Sequence, residues 1–266
     1  MYKSFYSLAK DPFIKNIKTE DGFTSNTFKE GRARLDYLKQ TKGMGLLVGE
    51  PGAGKTFLLR SFQASLNPSL YKVIYFPMSS GTVMDFYRGL ALGLGEVPMS
   101  RKVDLFCQIQ HSVRSFSKER RITPVFILDE MQLAKNAFLH DLCLLFNFNM
   151  DSENPFILVL AGLPFLMDKL TLNQYQPLSQ RMVMRYKLEP LTKDEVAEYV
   201  THQLELAGSK HPIFSESALE AIASRTRGWP RLINGLATNC LLLGFQKKQE
   251  LINEEIVRIA ALDMGI

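Results

Sequence analysis

No stretch of this sequence approaches 18 uninterrupted apolar residues, so no segment has the makings of a membrane-spanning helix. The opening, MYKSFYSLAKDPF, is charged and aromatic and lacks the apolar core of a signal peptide, so export is not expected. Cysteine is scarce. Cys107, Cys143 and Cys240 lie far apart without CxxC spacing, and an odd count does not make a disulfide framework. A reducing cytoplasm is the expected compartment. His111, His140, His202 and His211 show no ligand spacing with one another or with cysteine, which argues against a transition-metal site. Internal repeats and low-complexity runs are lacking as well.

What is present is ordinary for a folded protein. The chain has 266 residues, 46% hydrophobic and 22% charged, which argues against a disordered, collagenous or coiled-coil chain. This length favours an α/β unit with a smaller appended piece. The 32 Lys and Arg against 27 Asp and Glu give a net charge of +5 and a pI near 9.0. That excess permits contact with nucleic acid or an anionic surface and establishes neither.

The punctuation predicts short apolar strands alternating with helices, the mark of a parallel sheet. Strands are expected at Gly45 to Val48, Tyr71 to Phe76, Pro124 to Leu128, Phe156 to Ala161 and Val183 to Leu188. Helices are expected near Asn26 to Thr41, Lys55 to Leu66, Val83 to Leu94, Asp104 to Lys118 and Lys135 to Asn149. Beyond Pro190 only helices are predicted, opening with a capping box at Thr192 and Glu195. Ser215, Pro230 and Asn253 start three more. The boundary falls near Pro190, giving an α/β domain over 1–190 and a helical domain over 191–266. Phe126, Phe138, Phe146, Phe148 and Phe156 are read as core rather than as a base-stacking platform.

The strongest chemical signal is Gly49-Glu50-Pro51-Gly52-Ala53-Gly54-Lys55-Thr56, a complete GxxxxGK[ST] set between a predicted strand and a predicted helix. Glycines let consecutive N–H groups and the helix N-terminus face a polyphosphate. Lys55 would neutralise its β/γ oxygens, and the Thr56 hydroxyl can ligate Mg2+. The second signal is Val125-Phe126-Ile127-Leu128-Asp129-Glu130, an apolar strand ending in two acids. Adjacent strand residues point to opposite faces, so a division of labour is expected. Asp129 would hold Mg2+ through water, and Glu130 would polarise the attacking water.

With these motifs the chain resembles the AAA+ ATPases, P-loop proteins with a helical lid after the sheet. Phe5-Tyr6-Ser7-Leu8 and Asp11-Pro12-Phe13 are similar to the start of the ExeA-type ATPases and of their TniB/TnsC-like relatives encoded by bacterial transposons. Gly228-Trp229-Pro230-Arg231-Leu232-Ile233-Asn234 resembles their sensor-2 helix, and Leu178-Ser179-Gln180-Arg181 their arginine-finger region. The resemblance implies that Arg231 reaches the γ-phosphate from the lid and that Arg181 reaches a neighbouring subunit's nucleotide, with Arg185 an alternative finger. The chain departs from the pattern at Gly162-Leu163-Pro164, where many members place a polar sensor-1 side chain. Gln132 is the candidate to sense the γ-phosphate there, an exposed loop glutamine being the plain alternative.

A basic stretch from Arg101 to Arg121 holds six cations (Arg101, Lys102, Arg114, Lys118, Arg120, Arg121) against Asp104 and Glu119, a net of +4. Repeated around an oligomer, such a patch would bind duplex DNA through phosphates, although a solvated helix face accounts for it equally well. The resemblance therefore implies a DNA-transposition helper. Such a protein binds duplex DNA without sequence specificity as an ATP-bound homo-oligomer, ring or filament, and recruits or activates a transposase. Slow hydrolysis of ATP with Mg2+, stimulated by DNA or partner, then resets the complex. The rivals are an ExeA-like secretion or envelope-assembly ATPase and a nucleotide-dependent scaffold with little hydrolysis. The secretion reading is expected to be the weaker, because those proteins resemble longer membrane-tethered chains, whereas this sequence runs to Ile266 with no spanning segment.

Overall fold

A computed structural model describes residues 2–77 and 82–266. These form two compact units, one of 30–50 and 55–188, the other of 1–29, 51–54 and 189–266.

In chain order the elements begin with α1 (Tyr2–Phe5), α2 (Asn26–Thr41), β1 (Gly43–Gly49), α3 (Lys55–Ala64) and β2 (Tyr71–Pro77). Next come α4 (Val83–Leu94), α5 (Lys102–Arg114), β3 (Thr123–Asp129), α6 (Asn136–Leu145) and β4 (Ile157–Gly162). After α7 (Phe165–Thr171), α8 (Gln176–Gln180) and β5 (Met182–Leu188), the chain is helical: α9 (Lys193–Leu206), α10 (Glu216–Thr226), α11 (Pro230–Gln246) and α12 (Glu254–Met264). A wider helical turn over Ser115–Glu119 carries α5 towards β3.

The first unit is an α/β sheet of five strands in the order β2-β3-β4-β1-β5. All pairs are parallel, with Val125 opposite Ile157 and Leu46 opposite Leu160. Every residue of β1, β3 and β4 is buried, as expected of central parallel strands covered by helices on both faces. That is why these segments read as unbroken apolar runs. The edge strand β5 alternates buried with accessible positions. Phe126, Phe138, Phe146, Phe148 and Phe156 are all buried, and Phe146 packs edge-to-face on Phe126 and tilted on Phe156, at centroid distances of 5.2 and 4.8 Å. They are core, although Phe146, Phe148 and Phe156 lie just outside α6 and β4.

The second unit is helical. Its capping box closes in both directions: the Glu195 N–H donates to Thr192 Oγ1 at 3.3 Å, and the Thr192 N–H to Glu195 Oε2 at 3.0 Å. Ser215 and Asn253 cap α10 and α12 through their own side chains. The opening residues pack here too. Tyr6 donates to the Gln249 carbonyl at 2.9 Å, and the Phe5 ring meets Phe245 at 5.6 Å. A division that gives 1–190 to one domain does not anticipate this placement, because a four-residue helix shows no periodicity from which its burial could be read.

Candidate nucleotide site

The end of β1 and the start of α3 set the phosphate loop. β1 stops at Gly49 and α3 begins at Lys55, so the intervening residues curl at a helix N-terminus, where free amide groups favour an anion. Gly52 and Gly54 have φ of +83° and +97°, a region side chains disfavour. A Cβ on Gly54 would meet nothing within 4 Å, so the loop opens onto free space there. The Lys55 side chain is 8% exposed and folds into the loop, donating to the Gly49 carbonyl at 2.7 Å and the Glu50 carbonyl at 3.1 Å.

β3 delivers Asp129 to its last position, 2% exposed. Its Oδ2 accepts from Thr56 Oγ1 at 3.3 Å and from the Tyr75 hydroxyl at 3.2 Å, while Oδ1 accepts the Glu130 N–H at 2.8 Å. Tyr75 lies on neighbouring β2. Burial, then the Asp129 charge and the hydrogen bond to it, push the phenol up to about 12, so it stays a donor at neutral pH. One carboxylate beside one hydroxyl suits Mg2+, which keeps several waters and takes further ligands from substrate phosphates. Among the described residues no group of three or more His, Cys, Asp or Glu could hold a metal by itself.

Glu130 follows in the left-handed region, φ 56° and ψ 33°, an outlier for a side-chain-bearing residue of the kind that collects at functional sites. Gln132 links it to β4. Its Nε2 donates to Glu130 Oε2, and its Oε1 accepts the Leu163 N–H at 3.2 Å. A Cβ on Gly162 would lie 3.0 Å from that Oε1, so the missing side chain on β4 is what leaves room for Gln132. Gln132 is therefore a bonded residue and not a free loop glutamine.

Within the helical unit, Pro51, Gly52, Ala53 and Gly54 sit with the start of α11. The Arg231 N–H donates to the Gly52 carbonyl at 3.3 Å, and a Cβ on Gly52 would come 2.4 Å from Arg231 Cβ. Asn234, three residues on, accepts from the Tyr199 hydroxyl at 2.7 Å.

Arg181 and Arg185 find partners within the sheet unit. Arg181 donates to the Cys143 carbonyl at 2.7 Å and pairs with Asp151 at 3.1 Å. Arg185 donates to the carbonyl of Ser179 and, at 2.8 Å, to its hydroxyl. The basic stretch is likewise partly matched: Arg101 pairs with Asp104, Lys102 with Asp141 and Lys118 with Glu153, while Arg120 and Arg114 lie over the rings of Phe116 and Phe148. Burial pushes the Cys240 thiol up to about 12 and raises Cys143, against the pull of Arg181, so neither is a ready thiolate. Sequence reasoning missed Tyr75. An aromatic residue on a strand carries no sign of where its hydroxyl points.

The family described as AAA domain matches residues 38–170, half of the chain. The General secretion pathway protein A of Aeromonas hydrophila is 30% identical over the whole chain, which covers 49% of that protein. The chain spans about half the length of the curated relatives it matches. Among solved structures, Cdc6p from Pyrobaculum aerophilum superposes with a TM-score of 0.72 at 18% identity, over 95% of this chain and 70% of that one. Drosophila ORC bound to DNA gives 0.72 at 15% identity, over 100% and 66%. At these identities the likeness is one of fold. No helix among the described residues is long and apolar enough to cross a membrane.

Proposed function

Since the chain belongs to the AAA domain family, we propose that it is a Mg2+-dependent ATPase whose nucleotide state controls its hold on a macromolecular partner. The observation that carries this reading is the meeting of Thr56 with Asp129, one residue beyond a buried Lys55 at the mouth of a glycine loop. When bound, Mg2+ and ATP supply the transferable phosphoryl group and the dication that shares its charge. Lys55 would turn from the Gly49 and Glu50 carbonyls to the β/γ oxygens, and the amides of Gly52, Ala53 and Gly54 would cradle them. Thr56 and Asp129 would hold the cation. Glu130 would accept a proton from the attacking water, with Gln132 fixing its carboxylate beside the end of β4.

In this reading Arg231 reports nucleotide occupancy to the helices beyond residue 190, which act as a lid. Its backbone bond to Gly52 supports that role. Arg181 serves as the finger offered to a neighbouring copy in a ring or filament, with Arg185 the alternative, and the bonds to Cys143 and Asp151 must open for it to do so.

For the partner we favour duplex DNA, with the chain a transposition helper that recruits or activates a transposase. The support is the likeness of its opening, finger and lid motifs to transposon-encoded ATPases, together with the cations of the 101–121 stretch. A second reading, in secretion or envelope assembly, is supported by the similarity to General secretion pathway protein A over the whole chain. Fluorescence anisotropy of a labelled duplex with ATP, ADP or no nucleotide, at two salt concentrations, separates them. Tight, salt-sensitive binding with ATP alone is the expected result. No binding under any nucleotide would overturn the DNA role and leave the secretion reading in front. Phosphate release with and without DNA distinguishes a working ATPase from a non-hydrolysing scaffold.

A further inference from the structure

We propose that Tyr75 is a positioning residue for the cation, holding the Asp129 carboxylate turned toward Thr56. The inference rests on the nucleotide-site reading above and concerns a residue outside its motifs.

The register of β2 on β3 sets the contact. Tyr75 lies opposite Ile127, so Asp129 is two residues further along β3, and the two side chains leave the same face of the sheet. Ile74, on the other face, is buried, whereas Tyr75 is 47% exposed. The ring is not needed to fill the core, yet its hydroxyl ends on a carboxylate that is itself buried.

Asp129 has donors on both oxygens. Oδ1 is tied to the Glu130 N–H of its own backbone, and Oδ2 takes the two hydroxyls of Thr56 and Tyr75. Without the phenol, Thr56 would be the one side-chain donor on Oδ2 among the described residues, and its oxygen must also serve the cation when one binds. With it, Oδ2 keeps a second donor when Mg2+ draws on the Thr56 oxygen, and the carboxylate plane cannot turn without breaking bonds at both ends.

The chemistry of the donor matters too. A lysine or arginine in this place would orient the acid but cancel its charge and repel a dication. A neutral phenol orients the acid and leaves its charge intact. Donors behind a metal-ligating carboxylate typically change metal affinity by about 10- to 100-fold.

The test uses Tyr75→Phe, which keeps the ring and removes only the hydroxyl. Binding of a fluorescent ATP analogue is titrated with Mg2+, and repeated in EDTA, on the wild-type chain, Tyr75→Phe and Thr56→Ala. The Mg2+ concentration for half-maximal enhancement is expected to rise about 10-fold in Tyr75→Phe. Affinity in EDTA and the melting temperature should stay at their wild-type values, which a merely structural role of the ring would not separate. If Tyr75→Phe follows the wild-type Mg2+ curve while Thr56→Ala shifts it, the inference falls and the nucleotide site stands. If wild-type binding itself ignores Mg2+, both fall.

Discussion

The turn after β1 and the turn before β5 make an instructive pair. Both carry cations that resemble those of nucleotide-driven ATPases, but the surroundings differ. At the first, Thr56 bonds to Asp129, Lys55 folds onto the Gly49 and Glu50 carbonyls, and a Cβ on Gly54 would meet nothing within 4 Å. At the second, Arg181 and Arg185 are bonded to carbonyls and a carboxylate of their own chain. The residues of the first turn bond among themselves and to β3 within one unit of the chain. An arginine proposed for a neighbouring copy needs a resting partner when alone, as Arg181 has in Asp151 and the Cys143 carbonyl.

The largest effect should therefore come from the second turn, and only in an assembly. Arg181→Ala is expected to lower phosphate release about 10³- to 10⁵-fold, the range that an arginine finger contributes. Mixing it with Lys55→Ala copies, whose arginine is intact, should restore a measurable fraction. Failure of the mixture to recover would confine Arg181 to the structural bonds it makes here and break the comparison. At the first turn, Glu130→Gln should lower phosphate release by about 10²- to 10⁴-fold while ATP affinity is kept, as expected for loss of a general base.

Backbone geometry gives the next effect. Gly52→Ala would force φ +83° on a residue with a Cβ and drive that Cβ to 2.4 Å from Arg231 Cβ. Destabilisation of about 2–3 kcal/mol is expected, a fall in melting temperature of about 5–10 °C in a thermal unfolding scan. The smallest effect lies farthest from the chemistry: Thr192→Val removes one half of the capping box and should cost about 1 kcal/mol in the same scan with phosphate release unchanged.

These regions also differ in how far they could be read from residues alone. The three central strands were legible because burial on both faces demands unbroken apolar runs, β5 because its burial alternates, and the loop between β1 and α3 because its glycines stand at fixed spacing. Caps at Thr192, Ser215 and Asn253 were legible for the same local reason. The strand order β2-β3-β4-β1-β5 was not, since pairing partners far apart in the chain leave no local mark. Nor were the short helices α7 and α8, too brief for a period to emerge. Tyr75 and the filling of the Gly162 position by Gln132 depend on which strands lie side by side. Such contacts become readable only once the topology is known.

Lys55 and its loop are the part of the proposed nucleotide site on which the other roles depend. The most direct measurement is equilibrium binding of a fluorescent ATP analogue, with Mg2+, to the wild-type chain and to Lys55→Ala. Loss of a buried, charge-assisted contact of about 1.5–3 kcal/mol predicts affinity weakened by about 10- to 150-fold in the variant. Equal affinity for the two proteins would contradict the site, and with it the roles given to Thr56, Asp129 and Glu130.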